Sequence, residues 1–441
     1  MRNIQKWSLA VALAGFLFGF DTVVISGAVD PIKALWKTTE WQQGLLVSIA
    51  LWGTVIGSIF GGRPMDSWGR KPTLIWIGIL FTVSAIGSMI AWDPISFSVF
   101  RFIGGVGVGV SSVAAPAYIS EISNARSRGR LVALYQFNIV FGILIAFLSN
   151  YLLKGVGGEW DWRLMLGVEA IPAILYTALV VFVPESPRWL ATKKGDMKAA
   201  KNVLNALIDN EKEVESTIHA IQADSAQSTG LPKVSLFSRP YRFPLFLAFL
   251  LAMFNQLSGI NFILYYAPTI LENAGFAGSD SLLSSISLGA VNLLFTFVGL
   301  YFIDRLGRRQ LMYIGSLGYI FSLLMVAYAF YAEVASMFTL TFILLFIASH
   351  AMGQGAVIWV FISEIFPNAV RGAGQSWGTG THWVFAALIT LIGPVVMSAF
   401  PEWTIFAFFA AFMVLQLAFT HWIMPETKGK SLEELQHELQ R

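Results

Sequence analysis

Twelve stretches of about 20 residues, nearly free of charge, recur from one end of the chain to the other. They cover 6–28, 43–63, 73–91, 96–118, 131–152, 164–183, 243–268, 282–303, 311–331, 337–360, 374–399 and 403–424. At about 1.5 Å of rise per residue, each is long enough as a helix to cross a hydrocarbon core about 30 Å thick. The expected fold is therefore an all-α integral membrane protein. Only 12% of the 441 residues are charged, against about 25% in soluble domains. The first run is too long for a cleaved signal peptide, lacks a small-residue cleavage site, and is followed by eleven more. With no cysteine, disulfides, thiolate metal sites and cysteine nucleophiles are excluded. The net charge of +3 is spread over the loops, with no basic run suited to nucleic acid.

The connections set the expected orientation. With the N-terminus inside, inner segments hold 24 of the 29 Lys and Arg, leaving Lys33, Lys37, Lys154 and Arg163 outside and Arg101 within a span. This bias predicts an even number of spans and two cytoplasmic termini. Residues 184–241 are polar, and Ala199, Val203, Ala206 and Leu207 stand there at helical spacing, predicting a small cytosolic helical linker. The expected organisation is a six-helix half at 1–183, the linker, a second half at 242–424 and a cytosolic tail at 425–441.

Three motifs repeat in the same order. "GGRPMDSWGRK" returns as "GLYFIDRLGRR", "EISNARSRG" as "EIFPNAVRG" and "PES" as "PET", at offsets of 238, 243 and 241 residues. One common period means a duplicated six-span unit, as in two-lobed transporters whose substrate site lies between parallel repeats. Positive-inside topology accounts for the basic residues but not for the acidic ones at fixed offsets. Asp66, Arg70, Glu121 and Arg128, with their counterparts Asp304, Arg308, Glu364 and Arg371, are expected to form a cytoplasmic gate.

Asp21 is the single ionisable residue between Trp7 and Val29, a costly position for a carboxylate. It lies nine residues before Asp30, roughly 13 Å from the outer end of its span. Arg101 lies eight residues after Asp93 on the antiparallel fourth span, at about 12 Å from the same end. Glu169 stands near that level, six residues past Arg163, at roughly 9 Å. Opposite charges at one depth suggest a buried pair. A switchable pair gives proton coupling, and because Arg keeps its proton, Asp21 is the titrating partner. The plainer reading is a static salt bridge.

The chain resembles the sugar porters of the major facilitator superfamily. The resemblance rests on "GFDTVVISG", "GGRPMDSWGRK", "RFIGGVGVG", "PAYISEISNARSRGRL", "PESPRWL", "NQLSGINFILYYAP", "DRLGRR", "SEIFPNAVRG" and "PETKG". It covers nearly the whole chain and is similar to bacterial proton–sugar symporters of the xylose and glucose type and to animal glucose facilitators. Proton-coupled members carry Asp at the position of Asp21, whereas passive ones typically carry Asn. The chain departs from the family pattern at Ser67 and Trp68, expected to weaken the first inner turn. It departs also at Ala356, where a proline is common, so that the tenth span is expected to bend less. Asn255 replaces the first of two glutamines, and His382 stands where Asn or Gln is usual.

An uncharged, hydroxyl-rich substrate calls for amide and indole partners and apolar faces. Asn255, Gln256 and Asn261 are amides in an otherwise apolar seventh span. Gln256 and Asn261 are five apart, so a break at Ser258–Gly259, with Pro268 beyond, would turn both to one cavity. The resemblance implies that Gln136, Gln256, Asn261, Asn292, Trp359 and Trp383 contact sugar, with Phe18 and Tyr266 as further candidates and with Asn255 and His382 at pocket positions. The bland reading of buried amides is that they join helices. Gly105 and Gly109 read as a helix-contact pair rather than a dinucleotide motif. No nucleophile elbow or metal-ligand spacing occurs, so neither an enzyme nor a cofactor or metal is expected. The expected protein is a monomeric monosaccharide–proton symporter in a lipid bilayer, in style a bacterial inner membrane. A uniporter with the same pocket, a transporter-like sensor and a channel are the alternatives. The tail of about 17 residues after the last span argues against a sensor, and repeated gates argue against a channel.

Overall fold

The computed structural model describes residues 2–123, 128–208, 210–229, 235–367, 370–430 and 432–439. Among them, twelve helices are long and apolar enough to cross a membrane. In chain order these spans are Asn3–Gly27, Glu40–Ser67, Arg70–Ile90, Pro94–Ile122, Gly129–Leu153, Gly158–Val181, Arg239–Tyr265, Gly278–Leu306, Arg308–Tyr331, Ser336–Ile365, Arg371–Ala399 and Glu402–Trp422. The described residues contain no strand. Helices are the answer to a medium without water, because each satisfies its own backbone.

Contacts divide the chain into two compact units. The first comprises residues 1–21, 53–142 and 166–233. Its core joins Leu17, Phe81, Tyr118, Ile119 and Tyr176. Spans two and four touch there backbone to backbone: a Cβ on Gly109 would stand 2.3 Å from the Thr54 carbonyl oxygen. Such small-residue seams replace the hydrophobic driving force that lipid removes. The linker belongs to this unit as far as residue 233. Its helix Met197–Leu207 is capped by Asp196 accepting from the Ala199 N–H, and it buries Ala200, Leu204 and Leu207. That face is turned from the expected one: Ala206 is exposed and Leu204 takes its place. An alanine is small enough to stand on either face, and the leucines decide.

The second unit comprises residues 22–52, 143–165 and 234–441. Here the start of span two lies against span eleven, with the Gly44 Cβ position only 1.8 Å from the Leu391 carbonyl oxygen. Where span one passes into a short 3-10 turn at Ile25–Gly27, the buried Asn150 donates to the Val24 carbonyl at 3.1 Å.

Interruptions in the spans position several of the polar groups. Span seven stops at Leu257 and restarts at Ile260, with Gly259 at φ +88°, and is broken again before Ala267. Span ten is also divided, at Gly353 between Ser336–Met352 and Gln354–Ile365. The expectation of a straighter tenth span is thus overturned. Gly353 packs against Gly315, where its Cβ position lies 2.8 Å from the neighbouring Cα, and this close approach bends the chain without a proline at 356. Span six is interrupted between Gly167 and Ala170, and Glu169 sits in that gap.

Candidate functional site

In the first unit, span one brings Asp21 to Arg101 on span four. Arg101 Nη1 donates to Asp21 Oδ1 at 2.5 Å, and Nη2 donates to the Asp21 carbonyl oxygen at 3.2 Å. Both side chains are 2% exposed. The main chain thus shares the guanidinium with the carboxylate, which lowers the cost of burying the charge. Gly104 leaves the room, since its Cβ position lies 3.6 Å from Asp21 Oδ1 and 2.3 Å from Ser84 Oγ. Glu169 is also buried, at 1% exposure, and its carboxyl lies close enough to Asp21 and Arg101 to interact with both.

In the second unit, the break in span seven folds its amides onto one another. Asn261 Nδ2 donates to Gln256 Oε1 at 2.9 Å, and Gln256 Nε2 donates to Asn255 Oδ1 at 2.9 Å. Gln256 Nε2 also lies 3.2 and 3.1 Å from Nδ1 and Nε2 of His382 on span eleven. The His382 ring stands 4.9 Å from the Trp359 ring and 4.8 Å from that of Trp383, edge-on to the latter. A continuous helix would turn positions 256 and 261 far from each other; the left-handed Gly259 joins them. Six expected pocket residues therefore form one amide–aromatic cluster: Asn255, Gln256, Asn261, Trp359, His382 and Trp383. Asn292 is buried on span eight, with no bond to this cluster among the described residues. Tyr266 is committed to structure, its hydroxyl donating to the Thr390 carbonyl at 2.7 Å. Phe18 and Gln136 are half-buried in the first unit.

A ring flanked by indoles beside a chain of amides suits a polyhydroxylated ring as ligand. Comparison with known proteins agrees. The family described as "Sugar (and other) transporter" matches residues 7–439. The D-xylose-proton symporter of Escherichia coli (strain K12) is 33% identical over 97% of this chain and 94% of its own. The chain belongs to the sugar porters of the major facilitator superfamily. A putative metabolite transport protein of Bacillus subtilis, YwtG, is 36% identical over 97% of this chain and 93% of its own. The solved xylose transporter XylE from E. coli, partially occluded and inward open, superposes with a TM-score of 0.87 at 30% identity, covering 98% and 100% of the two chains. The family and fold are those of transporters, and this porter is an integral membrane protein.

The duplicated motifs of the porter form two matching networks, one inside each unit. In the first, Arg70 donates to Glu121 at 2.8 Å and to Asp66 at 3.3 Å. In the second, Arg308 donates to Glu364 at 2.7 Å and to Asp304 at 3.1 Å. Asp66 and Asp304 are mostly exposed, so their pairs contribute little. Contrary to expectation, Ser67 and Trp68 leave the first turn intact, because its bonds run through Arg70 and the backbone. Arg371 donates to the Phe366 carbonyl at 3.3 Å, and the side chain of Arg128 lies outside the described residues.

Sequence reasoning missed the acids of PES and PET as working parts. Glu185 accepts from the backbone N–H groups of Arg70 and Lys71 at 2.9 and 3.2 Å. Glu426 does the same for Arg308 and Arg309, both at 3.0 Å. Each caps the N-terminus of a span, where carboxylates are favoured. Ser186 and Thr427 follow them and donate to Glu121 and Glu364 at 2.5 and 2.6 Å. The matched repeat was the available signal. Also missed were Gln416, which accepts from Gln354 and donates to Ser316, and the Tyr319–His350 bond.

Proposed function

We propose that this porter is a proton-coupled monosaccharide symporter working by alternating access, with an aldohexose or aldopentose as substrate. The observation that carries the reading is the buried Asp21–Arg101 pair with Glu169 against it. Protonation of Asp21 removes the charge that holds Arg101 and frees the first unit to change shape. Deprotonation restores the pair. Glu169 supplies a second carboxyl that keeps a proton within the site while the pair is open. This role agrees with the similarity to relatives named for proton symport.

Asn255, Gln256, Asn261 and His382 serve sugar hydroxyls, and Trp359 and Trp383 serve the C–H faces of the ring, with Gln136, Asn292 and Phe18 as further contacts. The Arg70 and Arg308 networks act as latches that open during the cycle, on a cytoplasmic side assigned from the charge bias of the loops. Radiolabelled D-glucose and D-xylose in proteoliposomes, with and without an inward proton gradient, test the reading. Accumulation above equilibrium only with the gradient supports symport. Equilibration indifferent to the gradient leaves passive uniport, and failure to take up any monosaccharide overturns the substrate class.

A further inference from the structure

A hydroxyl on a membrane helix ordinarily donates back to a carbonyl about one turn earlier. In the first unit Thr82, Ser111, Ser112 and Ser120 all do so, at 2.7 or 2.8 Å. Ser84 and Ser88 on span three do not. Both are 1% exposed, and neither Oγ has a hydrogen-bond partner among the described residues. Four apart, they share one face of the helix. Counted back from Ile90, the outer end by the charge bias of the loops, Ser88 lies about 3 Å deep and Ser84 about 9 Å. Asp21 comes next, at roughly 13 Å from the outer end of its own span. The Cβ position of Gly104 lies 2.3 Å from Ser84 Oγ and 3.6 Å from Asp21 Oδ1. Hydroxyl and carboxylate thus flank one point, close enough for a single water to join them. The charged groups beside Asp21 are Arg101 of span four and Glu169 of span six. Span three has no ionisable residue between Lys71 and its outer end. Span five, packed on span one at Gly19, has no charged residue from Leu131 to Leu153.

We infer that Ser84 and Ser88 are relay residues that carry protons from the outer face to Asp21. With water between them, each hydroxyl accepts a proton from its outer neighbour and passes its own inward. Hydronium outside becomes water, both serines end unchanged, and the Asp21 carboxylate becomes a carboxyl. A buried hydroxyl without a partner is costly to keep, and the cost is relieved in a state that brings water to it. Packing asks only for small side chains at these positions. Alanine would meet that need without stranding a hydroxyl. The inference rests on the proton coupling proposed above and adds the route by which the proton arrives.

The test is gradient-driven uptake of D-glucose or D-xylose, whichever the protein takes up, into proteoliposomes over a series of outer pH values. It compares wild type, Ser84→Ala, Ser88→Ala and Ser88→Thr, with counterflow at equal pH reporting folding and sugar exchange. Each alanine variant is expected to need a roughly three- to tenfold higher outer proton concentration for half-maximal uptake, the worth of one hydrogen bond. Counterflow is expected to persist, and Ser88→Thr, which keeps a hydroxyl, should titrate as wild type does. Alanine variants with the wild-type pH profile overturn the inference and leave symport standing. Counterflow and uptake that fall together with an unshifted profile mean a packing role, and overturn it too. If Ser84→Ala does not fold, Ser88→Ala, one turn further from the ion pair, decides alone. Wild-type uptake that ignores the gradient overturns the symport reading itself, and this inference with it.

Discussion

Asp21, Arg101 and Glu169 could be found in the sequence because charge in an apolar run is expensive, and helical rise converts position into depth. The amides of span seven stood out for the same reason. Gln256 is the centre of that cluster, bonded to Asn255, Asn261 and His382. Replacing it by alanine leaves those groups short of partners, so Gln256→Ala is expected to weaken sugar binding roughly ten- to hundredfold. Tryptophan-fluorescence titration measures it, and unchanged affinity contradicts the assignment. Glu185 was not legible, because its role depends on the chain returning from span six to the start of span three. Burial pushes the Glu185 carboxyl above its ordinary 4.5, against the lowering effect of the Ser186, Lys71 and Arg70 donors. The native state then binds the proton more tightly than the unfolded chain. This contribution is fully present below 4.5 and is lost as pH rises through the shifted value. Wild type should therefore gain melting temperature relative to Glu185→Gln as pH is lowered from 7 towards 4.5. A gap that stays constant would contradict the burial argument.

At the scale of the element, the interruptions matter more than the spans. The sequence pointed to the break at Ser258–Gly259, since two amides five apart share a cavity only if the helix is broken. It did not point to Gly353, because a glycine in a membrane helix serves a seam as readily as a kink, and its partner Gly315 is distant in sequence. Gly259 adopts φ +88°, and a Cβ there would lie 2.6 Å from the Phe409 ring. Gly259→Ala thus adds left-handed strain of about 1–2 kcal/mol to a steric clash. A lower melting temperature together with weaker sugar binding is the expected result. A variant with wild-type binding would show that the break does not build the pocket. Gly44 gives a second test. Any side chain there meets the Leu391 carbonyl, so Gly44→Leu is expected to fold, to bind sugar and to lose counterflow. Retained counterflow would mean that this contact of spans two and eleven is not visited during transport.

For the whole molecule, twelve spans and a duplicated pattern were readable because lipid permits few architectures and the repeat kept one period. The face buried by the linker helix was not, since short alanine-rich helices leave that choice to tertiary packing. The central claim is that one carboxylate couples sugar movement to protons. It is tested most directly by Asp21→Asn in proteoliposomes, comparing uptake driven by a proton gradient with sugar counterflow at equal pH. The account predicts that gradient-driven accumulation disappears while counterflow persists. An Asp21→Asn protein that still concentrates sugar against its gradient would contradict it.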